Sequence, residues 1–140
     1  QTKPQLWAAC ESGDDGAVRR CLDGGANLEE TFQGWTPLMK AAEEDNSEIL
    51  RLLIDAKANI EAENRKGRTA LSFAVAPSRR GQGATAERRP TAITAARVLL
   101  EAGADIMKKD ADGKTPQERA EKENRDDALV LLQEFAIQGR

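Results

Sequence analysis

One segment of the sequence occurs three times and limits the folds that the chain can adopt. Residues 34–42 have the sequence Gly-Trp-Thr-Pro-Leu-Met-Lys-Ala-Ala, and residues 67–75 and 113–121 follow the same pattern with more substitutions. Thr36 and Thr115 are good helix caps, and the proline after each of them suits the first helical position. Leucine and alanine then recur at helical spacing. Each copy therefore predicts a turn, a cap and a short helix.

A second apolar segment follows each of the first two copies, and a related one precedes the first. Ile49, Leu50 and Leu53 would share one face of a helix, and comparable patterns occur at residues 18–27 and 95–105. Gly34 and Gly67 are 33 residues apart, while Ala26 and Ala58 are 32 apart. Self-similarity at this period is typical of stacked helix pairs.

These residues resemble the ankyrin repeat, whose period and Thr-Pro-Leu signature they share. The resemblance covers nearly the whole chain. It implies an all-α ankyrin-repeat solenoid of stacked helix-turn-helix units with hairpin-like finger loops. We expect one domain, residues 1–140, with repeats at about 1–33, 34–66, 67–112 and 113–140. Such a fold says little about function by itself, because one architecture serves many partners.

The third repeat departs from the period. Ala58 and Ala104 are 46 residues apart, which leaves a surplus of 13 over one period, and the surplus falls at residues 77–90. Prolines bound this insert and glycines fill it, so we expect a loop between the two helices of the repeat. Its arginines could bind an acidic partner or a phosphate, or the insert could be a solvated loop, which is the interpretation we favour. The four are Arg79, Arg80, Arg88 and Arg89.

The terminal repeats are atypical, as expected where a repeat has a neighbour on one side only. Trp7 falls at the Met39 position and is a candidate for covering the open end of the stack. In the fourth repeat Gln117 stands in the place of Leu38 and Glu121 in the place of Ala42. The first helix of this repeat is thus polar on the face that would meet a fifth repeat, which predicts a closing cap.

Composition argues against several classes of function. The chain has no histidine, so it lacks the usual activator of a nucleophile and a usual metal ligand. We expect no enzyme activity, no cofactor and no metal. A net charge of −3 predicts no overall attraction to nucleic acid or anionic membranes, and no apolar run is long enough to span a bilayer. Cys10 and Cys21 are expected to be buried, reduced thiols, with a disulfide between them as the alternative.

The resemblance also implies where a partner binds, namely the concave surface made by the fingers and the exposed side of the inner helices. Phe73 is the sharpest candidate, because its counterparts Ala8, Lys40 and Arg119 suggest a solvent-facing position. Trp35 is a second anchor, or it packs only on the neighbouring finger. We expect Phe73→Ala and Trp35→Ala to fold and to bind a partner more weakly. The predicted contact residues are Phe32, Trp35, Lys40, Glu43, Arg65, Arg68, Phe73, Lys114 and Arg119, with the four arginines of the insert as secondary contacts.

These observations predict a non-catalytic protein–protein interaction module, an adaptor or scaffold, with a protein partner and no small-molecule substrate. The alternatives are a permanent structural subunit of a larger assembly or a regulatory domain cut from a longer protein. The sequence begins with Gln1 rather than Met, which agrees with a processed form or a fragment. We expect an intracellular location, in the cytoplasm or nucleus, or in an organelle after removal of a transit peptide.

Overall fold

The computed structural model describes residues 3–75, 92–122 and 125–138 of the 140-residue chain. These residues form eight α-helices and no extended strand. The helices are α1 (Gln5–Ser12), α2 (Asp15–Asp23), α3 (Pro37–Glu43), α4 (Ser47–Asp55), α5 (Ala70–Val75), α6 (Ala92–Glu101), α7 (Pro116–Lys122) and α8 (Asp126–Gln138).

Side-chain caps explain where the helices begin. The Thr36 hydroxyl accepts a hydrogen bond from the Met39 N–H at 3.2 Å, and Pro37 occupies the first helical position. At α7 the cap is reciprocal: the Glu118 N–H donates to the Thr115 hydroxyl at 3.2 Å, and the Thr115 N–H donates to the Glu118 carboxylate at 2.9 Å. The predicted caps are therefore confirmed. Asp14 and Asn46 cap the second helices α2 and α4 in the same way.

The helices pack in two layers. The first helices of the pairs, α1, α3, α5 and α7, contact one another in chain order and form the inner layer. The second helices, α2, α4, α6 and α8, form the outer layer, and each packs on the first helix of its own pair. The contact of α5 with α6 shows that these two helices form one pair. The all-α solenoid predicted from the repeats is confirmed.

The core is a continuous apolar layer between the two rows of helices. Leu38 and Leu71 of the inner row and Leu53 and Leu99 of the outer row are all buried. Each buried leucine contributes about 1.5–3 kcal/mol relative to an exposed one. Because every pair covers its neighbours, the helices hold the fingers at regular intervals along one edge of the stack.

The last repeat agrees with the predicted cap. Of the α7 side chains only Pro116 and Ala120 are buried, whereas Gln117 is half-buried and Glu121 is exposed. None of the helices in the described parts of the chain is long and apolar enough to cross a membrane. The whole insert at residues 77–90 lies outside the described residues. It includes the four predicted secondary contacts, Arg79, Arg80, Arg88 and Arg89.

Candidate functional site

Three loops project from the edge of the stack and build the candidate site: finger 1 (residues 28–35), finger 2 (60–68) and finger 3 (106–114). In finger 1 the backbones of Phe32 and Trp35 exchange two hydrogen bonds, at 3.0 and 3.1 Å. Fingers 2 and 3 close instead around Asn64 and Asp110. The side-chain oxygen of each accepts two backbone N–H groups of its own turn, at 2.9–3.1 Å. The fingers are thus hairpin-like turns closed by hydrogen bonds, as predicted.

Neighbouring repeats are joined by hydrogen bonds between their loops. The Glu29 carboxylate accepts the Asn59 N–H at 2.8 Å, and the Glu61 carboxylate accepts the Asp105 N–H at the same distance. These bonds repeat at equivalent positions of successive repeats, so they fix the spacing of the fingers.

Fingers 2 and 3 also touch directly. The Ala111 N–H donates to the Lys66 carbonyl at 2.9 Å. The two tips therefore form one surface, and the side chains that they carry lie side by side.

Four aromatic rings line the inner side of the fingers, and we call them the aromatic ladder. Trp7 packs on Phe32 with ring centroids 4.9 Å apart, and Trp35 packs on Phe73 at 4.2 Å. The Trp7 indole N–H donates to the Trp35 carbonyl at 3.1 Å, which joins the two pairs. Aromatic pairs of this kind contribute about 0.5–1.5 kcal/mol beyond their buried area. These contacts therefore stabilise the positions of Phe32 and Trp35.

Cations alternate with the rings of the ladder. The Lys40 ammonium lies 5.7 Å from the centroids of both Trp7 and Trp35, and the Arg68 guanidinium lies 4.2 Å from that of Phe73. Lys3 occupies a similar place between Trp7 and Phe32, at 5.6 and 5.7 Å. Cation–π contacts favour this arrangement.

Acidic side chains on the inner helix hold Lys40 in place. Its ammonium lies 3.2 Å from carboxylate oxygens of both Glu43 and Glu44. Burial acts to lower the pKa of Lys40, but the charges and hydrogen bonds of Glu43 and Glu44 outweigh it and raise the pKa. Lys40 is therefore a charged, anchored side chain between two tryptophans.

A second anchored cation, Arg119, lies beneath finger 3. Its guanidinium contacts Asp110 at 2.7 Å and Asp112 at 2.8 Å. Burial tends to raise the pKa of Asp110, yet the hydrogen bond from Arg119 and those from the Lys114 and Asp112 N–H groups lower it overall. Asp110 is consequently an ionised, nearly buried carboxylate that ties finger 3 to α7.

The structure brings together most of the residues predicted for partner contact. Phe32 and Trp35 are half-buried and present part of their rings, and Lys40 and Arg68 lie against the same ladder. Arg65 and Lys114 lie on the tips of fingers 2 and 3, and Arg119 lies below finger 3.

Two expectations about exposure are wrong. Phe73 was expected to face solvent, but its side chain is only 2% exposed, because Trp35 of the preceding finger and Arg68 of its own finger cover it. Glu43 is 6% exposed, since it folds back onto Lys40. Both residues support the surface rather than form it.

Sequence reasoning also misplaced Trp7, the candidate cover for the open end of the stack. The structure puts it on the finger side, in the ladder. Met39, its register counterpart, is also buried, so the repeat alignment could have predicted burial. The partner ring on Phe32 could not be predicted in this way.

Both cysteines are free thiols. Cys10 is buried as expected, and burial together with the nearby Cys21 raises the pKa of its thiol to about 12. Cys21 is half-buried and lines a depression of about 470 Å³ between α1 and α2.

Within residues 3–75, 92–122 and 125–138, no group of three or more acidic or cysteine side chains could hold a metal ion. The chemistry that the described site offers is recognition by rings and cations.

Comparison with known proteins gives a family match over most of the chain. The family model described as ankyrin repeats (three copies) matches residues 6–110. Two relatives named ankyrin repeat, SAM and basic leucine zipper domain-containing protein 1, from Homo sapiens and Colobus guereza, are each 40% identical to the chain over 67 residues. The relative of the same name from Gorilla gorilla gorilla is 42% identical over 67 residues. Each alignment covers 47% of this chain but only 14% of the relative's length.

Proposed function

The chain belongs to the ankyrin-repeat family, and on that premise we propose that it is a non-catalytic interaction module that binds a protein partner on its concave surface. Ankyrin repeats are generally protein–protein interaction modules. The observation that supports this surface is the pair of half-buried rings, Phe32 and Trp35, each packed on a buried ring. Rigid aromatic side chains contribute strongly to binding because they lose little conformational entropy on contact.

The buried members of the ladder, Trp7 and Phe73, explain why Phe32 and Trp35 are suited to binding a partner. Trp7 is 5% exposed and Phe73 is 2% exposed, so neither can move away from the ring above it without losing core contacts. Phe32 and Trp35 are consequently held in place before a partner arrives, which reduces the entropy cost of association.

The test compares capture of the same partner by four forms of the full chain. Immobilised parent protein, Phe32→Ala, Trp35→Ala and the outer-helix control Val130→Ala are exposed to the same cell extract, and each captured protein is quantified. We expect the partner to be retained by the control and to be reduced by about 5- to 100-fold with the two ladder variants, as for an interface hot spot. Circular dichroism must show that all four forms fold.

The opposite pattern would contradict the proposal. If both ladder variants capture as much of the partner as the parent and the control do, Phe32 and Trp35 are not part of the binding surface. Loss with Val130→Ala alone would place the contact on the outer face of the last repeat.

A permanent structural subunit is the second candidate, and one observation favours it. Among the described residues the exposed large hydrophobic side chains are Met107, Val130 and Ile137, at 65%, 56% and 74% exposure, all near the C-terminal end. Val130 stands where the earlier repeats carry an exposed arginine: Arg19, Arg51 and Arg97. Permanent interfaces are more apolar than transient ones. An isolated chain that aggregates or oligomerises through this end would favour this candidate, and a monodisperse monomer would favour the reversible module.

A further inference from the structure

We propose that fingers 2 and 3 select an acidic polypeptide segment, whose apolar side chain packs on Phe32 and Trp35. The inference rests on the proposed function, because it names the chemistry of the partner for the same concave surface.

Charge is distributed unevenly among the fingers. Fingers 2 and 3 together carry six basic and four acidic residues, whereas finger 1 carries Glu29 and Glu30 and no basic residue. The chain as a whole has a net charge of −3. The positive surface is thus local, and it begins where the aromatic part of the concave surface ends.

The acidic side chains of this surface are already engaged within the protein. Glu61 accepts a backbone N–H of the next repeat, and Glu63 pairs with Lys108 at 2.8 Å. Asp110 and Asp112 both pair with Arg119. Two cations, Lys108 and Arg119, therefore offset part of this negative charge before any partner binds.

Four of the basic side chains, in contrast, have no carboxylate within ion-pair distance among the described residues. Arg65, Lys66 and Lys109 are exposed, and Lys114 is half-buried. The hydrogen bond between Ala111 and Lys66 keeps the two tips in contact, so these cations share one surface. An acidic segment across the tips would place several carboxylates near several cations at once, which favours both association rate and specificity.

A polypeptide fits this surface better than a nucleic acid. A nucleic acid carries a phosphate at every nucleotide and would extend its negative charge over finger 1 and the acidic inner helix beside Lys40. A polypeptide can confine its acidic residues to the length of fingers 2 and 3 and present an apolar side chain to finger 1. An amphiphilic segment of this kind matches half-buried rings that lie next to cations without a carboxylate partner among the described residues.

The closing experiment measures binding of four fluorescein-labelled probes to the full chain by fluorescence anisotropy. Three are peptides of equal length with one Leu-Phe pair flanked by glutamates, by lysines, or by alternating serine and glycine. The fourth is a single-stranded oligouridylate of similar length. Both tryptophans belong to the ladder, so their intrinsic fluorescence reports independently on contact at this surface.

The variants change the charge of the finger tips and of a matched control site. Arg65→Glu/Lys66→Glu reverses two exposed cations on finger 2, and Arg65→Gln/Lys66→Gln only neutralises them. Arg51→Glu/Arg97→Glu makes the same change of charge on exposed positions of the outer helices. We expect the glutamate peptide to bind at least about tenfold more tightly than the neutral peptide, and more weakly as salt increases. Reversal on finger 2 should weaken it about tenfold, neutralisation about threefold, and the control less than about twofold.

Several outcomes would overturn the inference. Equal affinity for the three peptides, preference for the lysine peptide, or no binding of the glutamate peptide would each do so. Tighter binding of the oligouridylate, lost on reversal of finger 2, would reassign the tips to a nucleic acid.

The design separates this inference from the proposed function. If the three peptides bind the parent with equal affinity and Phe32→Ala weakens all of them, the concave surface stands and the acidic preference fails. If the glutamate peptide follows the charge of finger 2 and ignores Phe32→Ala, the acidic preference stands and the aromatic anchor of the proposed function fails.

Discussion

Replacing Gly67 with alanine tests the contact that holds fingers 2 and 3 together. Gly67 has a φ of +74°, and a Cβ atom added to it would lie 2.7 Å from the Ala111 nitrogen and 3.2 Å from the Asp110 carbonyl carbon. The neighbours are backbone atoms, so they cannot rotate away as a flexible side chain would. The Ala111 N–H also donates to the Lys66 carbonyl, and any retreat of finger 3 stretches that bond.

Gly113 provides a matched control within the same protein. It occupies the equivalent position of finger 3 with a φ of +78°, but a Cβ added there would meet nothing within 4 Å. Alanine in the left-handed region costs about 1–2 kcal/mol. A less flexible unfolded chain offsets about 0.4–1 kcal/mol of that cost. Gly113→Ala should therefore reduce the free energy of unfolding by about 1 kcal/mol.

Gly67→Ala should cost more, because it adds the clash to the same backbone strain. Losing the hydrogen bond between the fingers removes about 0.5–1.5 kcal/mol. We expect a total loss of about 2–3 kcal/mol, measured by urea unfolding of both variants and the parent with far-ultraviolet circular dichroism. The denaturant slope should stay constant if only the folded state changes. Equal destabilisation by the two substitutions would refute the contact between fingers 2 and 3.

Three further predictions concern the core, a thiol and an ion pair. Phe73→Ala should reduce the free energy of unfolding by about 3–5 kcal/mol, as for other buried phenylalanines. A loss below about 1 kcal/mol in urea unfolding would instead indicate that the Phe73 side chain is exposed. With a pKa of about 12, Cys10 should resist a thiol reagent in the folded protein while the half-buried Cys21 reacts first, as mass spectrometry of partly labelled protein can show. Asp110 has a lowered pKa, so its contribution to stability is fully present above the unfolded value of about 4 and is lost as the pH falls through the folded value. Urea unfolding at a series of acidic pH values should show that the free energy of unfolding falls less with decreasing pH for Asp110→Asn than for the parent. Parallel plots of the free energy of unfolding against pH would contradict this assignment.

Local chemistry made much of the fold predictable. Thr36 and Thr115 cap helices because a hydroxyl in that place satisfies a backbone N–H, and this depends on neighbours three residues away. The burial of Leu38, Leu71 and Cys10 follows from helical spacing in the same way. The repeat boundaries and the role of the insert remain predictions.

The candidate site was predictable only in part. Phe32, Trp35 and Arg68 could be placed on fingers from the sequence, and the structure gathers them around one ladder. The burial of Phe73 could not be inferred from its counterparts, because it depends on the ring of Trp35, which belongs to the preceding finger. The ion pair between Asp110 and Arg119 could not be predicted either, since the two residues lie on a finger and on the following helix.

The sequence by itself determined the helix pairs, their period and the edge at which the fingers emerge. These features come from caps, turns and apolar spacing within a few residues, where the chain has few alternatives. The tertiary structure alone decided which rings are buried and which cations are left without a carboxylate. Those outcomes depend on side chains from different repeats, such as Trp7 with Phe32 and Trp35 with Phe73, that meet only when the helix pairs stack.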